Sequence, residues 1–273
     1  MQHAELRKRL SDIFRNRPYL RSMFYILIDV LIVSFWHIRR GILRFSRQQN
    51  GPIHVLDAGT GLGQYTYFMA RKFPLWNIYA VDQSANEVCE CNRFFHDLNY
   101  PRVLFRTEDL ETIHRENTYD MVLAVNVVEY ISDDRKVLGN LLHALKPGGM
   151  LLLSVQSDKS KQVQPNFTNK LLQNSELRHR YNNLELKKLL KELGYRNIKA
   201  HYSYGISGRI STVLGVAIPK NLLRRSRHFL VLMPLYYLLL YPVIFVLNSI
   251  DAYFVHLSGS ELVVSAYKTE ACA

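Results

Sequence analysis

A chain of 273 residues with 48% hydrophobic content can bury one large core, and no low-complexity tract or solenoid-spaced repeat divides it. The net charge of +12 is uneven: residues 1–50 and 157–230 are basic and 51–156 mildly acidic, which argues against a uniformly basic nucleic-acid binder. Three cysteines, Cys89, Cys91 and Cys272, argue against a disulfide framework and for a reducing compartment.

Residues 1–50 read as helices with clustered arginines: Arg7, Arg9, Arg15, Arg17 and Arg21, then Arg39, Arg40, Arg44 and Arg47. The apolar stretch Met23–Trp36 is interrupted by Asp29 and lacks a small-residue cleavage site, so it is a poor signal peptide. It is also shorter than the about 20 apolar residues that a spanning helix needs. Asn50-Gly51-Pro52 breaks the pattern and marks a boundary.

Strand-like and helix-like segments then alternate. Ile53–Asp57 reads as a strand, Gln64–Phe73 as a helix, Asn77–Asp82 as a strand and Ala85–Asp97 as a helix. Strands follow at Val103–Arg106 and Met121–Val125, a helix at Asp133–Leu145 and a strand at Met150–Val155. Such alternation implies crossover connections and a parallel sheet. Residues 157–183 are polar and basic and read as a loop or lid. Leu184–Leu193 is helical with Gly194 as its stop, and Ile198–Tyr202 and Glu261–Lys268 are late strands. Cys89-x-Cys91 lies in a helix without a second ligand pair, so packing is expected there and no metal. Asn166-Phe-Thr168 matches a glycosylation sequon but carries little without a secretory signal.

The chemistry is carried by Val55-Leu-Asp-Ala-Gly-Thr-Gly-Leu-Gly-Gln64. A strand ends at Asp57, glycines follow at alternate positions, and a helix begins. Glycines let the backbone turn sharply and let a ligand approach without meeting a Cβ. The helix start offers unpaired N–H groups. Open α/β sheets bind ligands at this end of their strands. Asp82 ends the second strand, where a carboxylate can accept hydrogen bonds from two ribose hydroxyls. Glu108-Asp109-Leu110 follows the third strand, where a carboxylate can meet an exocyclic adenine amine. Val125-Asn126 ends the fourth strand beside the central cleft.

Asp57-x-Gly-x-Gly-x-Gly63, Asp82, Glu108-Asp109 and Leu145-Lys-Pro-Gly-Gly149 resemble the class I S-adenosylmethionine-dependent methyltransferases, and within them the small-molecule "type 11" group. In that group the fourth strand leads into Leu-Glu-His; here it reads Val128-Glu129-Tyr130, which puts a base role at Tyr130 in doubt. The resemblance covers residues 51–156 well and 184–268 loosely. It implies a doubly wound, seven-stranded, mostly parallel Rossmann-like α/β sheet with Glu261–Lys268 as the antiparallel hairpin partner of Ile198–Tyr202. It implies S-adenosyl-L-methionine as cofactor, held by Asp57, Gly59, Thr60, Gly61, Gly63, Asp82, Gln83, Glu108, Asp109, Leu110 and Asn126. In this frame Asp82 holds the ribose, Asp109 contacts the adenine amine, and Asn126 supplies mainly its backbone carbonyl. No catalytic residue is identified: Glu129 is left without a role for its carboxylate, His143 reads as surface or packing, and His37, His201 and His256 read as lone histidines. A dinucleotide site would want G-x-G-x-x-G, whereas the loop gives G-x-G-x-G followed by Gln64.

Phe229–Ile250 has no charged residue over 22 positions, and Arg224, Arg225 and Arg227 precede it. By length it could cross a membrane. A single crossing between two strands of one sheet would part them across the bilayer, so the segment must return, lie in the interface or cover the domain. Pro234 and Pro242 favour broken helices. The organisation expected is a basic, apolar N-terminal segment (1–50), a cofactor-binding core (51–156) and a C-terminal part of the same fold (157–273) with the apolar insertion 229–250. The expected partners are a small hydrophobic acceptor and an anionic membrane surface, and nucleic acid is not expected. The expected location is the cytoplasm, with monotopic contact on the inner face of the membrane. Competing readings are an RNA or other nucleic-acid methyltransferase, which the basic 157–227 region leaves open, and a non-catalytic membrane-associated binding protein of the same fold. An ordinary apolar cap packed on the core is the alternative to membrane contact.

Overall fold

The computed structural model describes residues 18–49, 51–159, 177–226, 229–254 and 256–269. Arg7, Arg9, Arg15, Arg17, Asn50, Asn166-Phe-Thr168, Arg227, Cys272 and most of the expected loop region 157–183 lie outside them.

Two helices, α1 (Pro18–Leu31) and α2 (Val33–Ser46), precede the first strand. The core then runs β1 (His54–Ala58), α3 (Gln64–Lys72), β2 (Asn77–Asp82), α4 (Ala85–Asp97), β3 (Val103–Thr107), β4 (Tyr119–Val125), α5 (Asp134–Ala144) and β5 (Leu145–Gln156). It ends with α6 (Asn183–Leu193), β6 (Tyr195–Ser203), α7 (Ile206–Thr212), α8 (Ile218–Arg225), α9 (Phe229–Tyr253) and β7 (Glu261–Lys268).

The sheet has seven strands in the order β3-β2-β1-β4-β5-β7-β6. β1 to β5 are parallel, and β7 is antiparallel to both neighbours, β5 and β6. The strand order reverses between β1 and β4, and it is at the carboxyl ends of the strands flanking such a switch that open α/β sheets bind ligands. Each face of the sheet carries its own core. α1 to α4 cover one face through Tyr25, Ile38, Met69 and Phe95, and α5 and α6 cover the other through Leu138, Leu141 and Leu190. Strands buried on both faces need near-continuous apolar sequence, which β4 and β5 supply.

Local signals fix several ends. Asp133 caps α5 through Lys136 N–H, and Asn182 caps α6 through Leu184 N–H. Gly194 ends α6 at φ 109°, where other residues would be strained. β5 starts five residues before the expected Met150 because Leu145 pairs with Tyr119 across a register shift, so Lys146-Pro-Gly-Gly149 enters the strand as an irregularity. β6 likewise begins at Tyr195, with a bulge between Arg196 and Lys199.

Residues 204–260 leave the sheet at Ser203 and return at Glu261, which pair directly. α7, a π-helical segment (Val213–Ala217) and α8 form the outward arm, and α9 runs back antiparallel to it. The two arms meet at Gly208 with Asp251, at Ser211 with Asn248, and at Gly215 with Ile244. The expectation of broken helices is not met: α9 is one helix of 25 residues with Pro234 and Pro242 inside it. A lateral fastening explains its continuity. The π-helical turn frees carbonyls of the outward arm, and the Tyr236 and Tyr237 hydroxyls donate to Leu214 O and Gly215 O at 2.6 and 2.9 Å.

The three histidines read as lone are not lone, and this too is a correction. His37 of α2, His201 of β6 and His256 gather around Asp251 of α9. His37 Nε2 lies 2.9 Å from Asp251 Oδ1, His256 Nε2 lies 3.2 Å from Oδ2, and His37 Nδ1 faces His201 Nε2 at 3.2 Å. Backbone N–H groups of Tyr204 and Gly208 also donate to Asp251. Distant residues in the chain converge here, so no sequence spacing betrays the cluster. Asp251→Ala would leave these donors unpaired in a dry site, and we expect a loss of about 3–5 kcal/mol. Chemical denaturation of the variant beside the parent checks this; an unchanged midpoint would refute a stabilising role for the Asp251 cluster.

Candidate functional site

The glycine loop joins β1 to α3, and its shape follows from Asp57. This carboxylate is buried, and its Oδ2 accepts from the Thr60 and Thr66 hydroxyls at 2.9 and 2.5 Å. Burial pushes the Asp57 carboxyl up to about 6, against the pull of those two hydroxyls. Gly59 and Thr60 N–H both donate to Val81 O at 2.9 Å, tying the loop to β2.

The three glycines serve different ends. All have positive φ, at 76°, 55° and 78° for Gly59, Gly61 and Gly63. A Cβ on Gly59 would lie 2.5 Å from the Val127 side chain, and one on Gly63 would press on Cys91 Sγ at 3.2 Å. A Cβ on Gly61 would meet nothing within 4 Å, so its bare side faces open space. That space is the cradle a ligand would fill.

Asp82, at the tip of β2, accepts from Gly61 N–H through Oδ2 and from Ser84 N–H through Oδ1, each at 2.9 Å. Gln83 Nε2 donates to Asp109 Oδ1 at 3.1 Å, bringing the tips of β2 and β3 together. Leu110 is buried. The Glu108 carboxylate is engaged by the Tyr79 hydroxyl and by Arg115 at 3.0 Å. On the other side of the crevice, Asn126 follows β4 at φ 51°, and its N–H donates to Ser154 O at 2.9 Å. The structure therefore gathers Asp57, Gly59, Thr60, Gly61, Gly63, Asp82, Gln83 and Asp109 on one side and sets Asn126 opposite.

Two buried acids not singled out as site residues sit beyond Asn126. Glu261 heads β7, and its carboxylate meets the Ser34 hydroxyl of α2, with Asn126 Nδ2 and Ser154 Oγ each at 3.5 Å. Burial pushes it up to about 7. Glu129 is fully buried, and among the described residues only the backbone N–H groups of Glu129 and Gln156 bear on its carboxylate, too loosely to form good hydrogen bonds. Burial, and then the Glu261 charge, push it up to about 8. Its backbone carbonyl accepts from Arg178 and His179 N–H, which fold over it. A charged residue heading an otherwise apolar strand was the available signal for Glu261.

Residues 35–200 match the family described as methyltransferase domain, which is more than half of the chain. The chain belongs to the class I S-adenosylmethionine-dependent methyltransferases. Among curated relatives, a malonyl-[acyl-carrier protein] O-methyltransferase of Halalkalibacterium halodurans is 36% identical over 109 residues, covering 38% of this chain and 39% of that one. One from Bacillus anthracis is 30% identical over 105 residues and covers 38% of each chain. The match thus spans about two fifths of these relatives. The fold is shared with phosphoethanolamine N-methyltransferase 2 of Haemonchus contortus bound to S-adenosyl-L-methionine (TM-score 0.57, 17% identity, 85% of this chain and 53% of that one). It is also shared with a Haloferax volcanii methyltransferase in complex with the Trm112 activator (TM-score 0.58, 12% identity, 95% and 99%).

The methyltransferase site fits its cofactor. Open space beside Gly61, carboxylates at the tips of β2 and β3, and a buried carboxyl under the loop match an adenosine with a cationic tail. Glu108, bound by Arg115 and Tyr79, is less free to meet that ligand than Asp109.

Proposed function

We propose that this methyltransferase moves a methyl group from S-adenosylmethionine to an oxygen, carbon or nitrogen of a small lipophilic acceptor, working from the cytoplasmic side of a membrane surface. The carrying observation is the exposed apolar side of α9: Leu235, Leu238, Leu239 and Val246 stand more than half open to solvent. Exposed apolar surface on this scale marks a lipid or protein contact. Leu232–Tyr253 has the length and hydropathy of a membrane span. The pairing of Ser203 with Glu261 brings both ends of the excursion back to one sheet edge, so α9 lies against lipid without parting the fold. Basic residues of α8, including Lys220 and Arg225, suit anionic headgroups.

The sulfonium arrives activated, so the protein's task is chiefly to align the acceptor with the methyl group. Acceptors that must lose a proton also need a base. Glu261, whose carboxylate lies 3.5 Å from Asn126 Nδ2 and is pushed up to about 7 by burial, is our candidate for that base, whereas Glu129, pushed up to about 8, keeps its proton at neutral pH. The relatives' names include a phosphoethanolamine N-methyltransferase and a trans-aconitate 2-methyltransferase, which supports a small acceptor, and a malonyl-[acyl-carrier protein] O-methyltransferase, so the atom stays open.

Flotation with vesicles of phosphatidylcholine and phosphatidylglycerol tests the membrane part. We expect the protein to float at low salt; its absence from the vesicle fraction would refute lipid contact. Incubation with methyl-labelled cofactor and fractionated lipid extract tests the acceptor: label in a lipid-soluble product is expected. A salt-sensitive shift of RNA with label entering RNA would instead favour the nucleic-acid reading.

A further inference from the structure

Arg21 of α1 is buried despite its charge, and its nitrogens all find acceptors. Nε donates to the Tyr25 hydroxyl at 2.6 Å, Nη1 to Glu90 O at 3.1 Å, and Nη2 to Leu62 O at 2.8 Å and Cys91 Sγ at 3.0 Å. The Tyr25 hydroxyl donates to the same Leu62 carbonyl. Leu62 stands between Gly61 and Gly63, and Cys91 Sγ reaches Gly61 O at 3.7 Å. The guanidinium also lies over the Phe94 ring at 4.8 Å. Arg21 and Tyr25 therefore grip the back of the loop whose front is the open side of Gly61.

Among the described residues, nothing covers the opposite face of α1. Tyr19, Met23, Ile26 and Leu27 are exposed, and helical spacing sets them about half a turn from Arg21, Tyr25 and Ile28. α1 has only 14 residues and turns sharply into α2, at 93°. A helix of that length is marginal in water on its own, so its order depends on what it packs against. One face packs on the cofactor loop. The other shares its character with the neighbouring α9, which reaches α1 through Asn248 and Val30 O.

Resting on the membrane reading above, we propose that α1 couples the cofactor site to the lipid surface. Lipid against Tyr19, Met23, Ile26 and Leu27 holds α1 in place, Arg21 and Tyr25 then hold Leu62, and S-adenosylmethionine meets a loop already shaped for it. Arg21 and Tyr25 are positioning residues. Linkage makes the effect reciprocal: the cofactor tightens membrane binding by the same factor that the membrane tightens cofactor binding.

The test is calorimetric titration of S-adenosylhomocysteine into the full chain, free and bound to phosphatidylcholine–phosphatidylglycerol vesicles. Vesicles should lower Kd about fivefold or more. Arg21→Gln should weaken binding in buffer about tenfold and abolish the vesicle gain, while α9 keeps the variant on the vesicles. Tyr25→Phe, which keeps the ring and removes only the hydroxyl, should show the same pattern more weakly and serves where Arg21→Gln does not fold. Met23→Ser with Leu27→Ser should erase the gain. Vesicle-bound protein with an unchanged Kd would overturn the coupling and leave the membrane reading standing. Protein that never binds vesicles would overturn both. An unchanged Kd in Arg21→Gln and Tyr25→Phe would remove the positioning role.

Discussion

Gly61→Ala should fold and fail to bind its cofactor. The substitution adds one methyl group where the protein itself has nothing within 4 Å. The fold therefore loses only the cost of a left-handed alanine at φ 55°, roughly 1–2 kcal/mol. The methyl group projects into the cradle, so S-adenosylhomocysteine should bind at least 100-fold more weakly by calorimetry, a ground-state clash worth about 3 kcal/mol. Gly59→Ala is the control of opposite kind: its Cβ would strike Val127 at 2.5 Å, so the fold itself should suffer. A Gly61→Ala protein that binds normally would dissolve the assignment of this loop.

Glu129→Gln should make the protein more stable at neutral pH. The Glu129 carboxyl titrates near 4.5 when unfolded and is pushed up to about 8 when folded. The folded state thus holds a proton that the unfolded state releases between those values. Its favourable contribution is complete below the unfolded value and is lost as pH rises toward 8, at about 1.4 kcal/mol per unit. Glutamine keeps the shape and has no proton to lose. The variant should gain on the parent by roughly 3 kcal/mol between pH 5 and 8, several degrees in Tm. Glu261, pushed up to about 7, keeps its own share of the slope. Thermal melts across that pH range check this: parallel curves for parent and variant would refute the buried ionisation.

Much of this architecture could be read from the residues because the signals are local. β2, α4 and β7 fall at their expected ends, since Asn77–Asp82 and Glu261–Lys268 are apolar runs with clear boundaries and Ala85–Asp97 has a clean helical stripe. The glycine loop and Asp82 are likewise consecutive or one element apart, and the structure joins them through Gly61 N–H. What escaped depends on distance in sequence. Asp251 meets His37 across 214 positions, and Ser34 meets Glu261 across 227. No window of residues contains either pair. α9 escaped for a different reason: proline predicts a break when its helix stands alone, and here Tyr236 and Tyr237 fasten it to a neighbouring arm. The role of Arg21 was hidden because an arginine in a basic run reads as a solvated charge until its burial is seen.

The position of β7 bears on how the molecule comes to be made. This strand lies inside the sheet, between β5 and β6, yet it follows both arms of the apolar excursion along the chain. During synthesis, then, β5 and β6 wait with open edges while α9 has already emerged. Such edges and such a helix are each prone to self-association. Only when β7 arrives do both edges close and the excursion become tied at its two ends to one sheet edge.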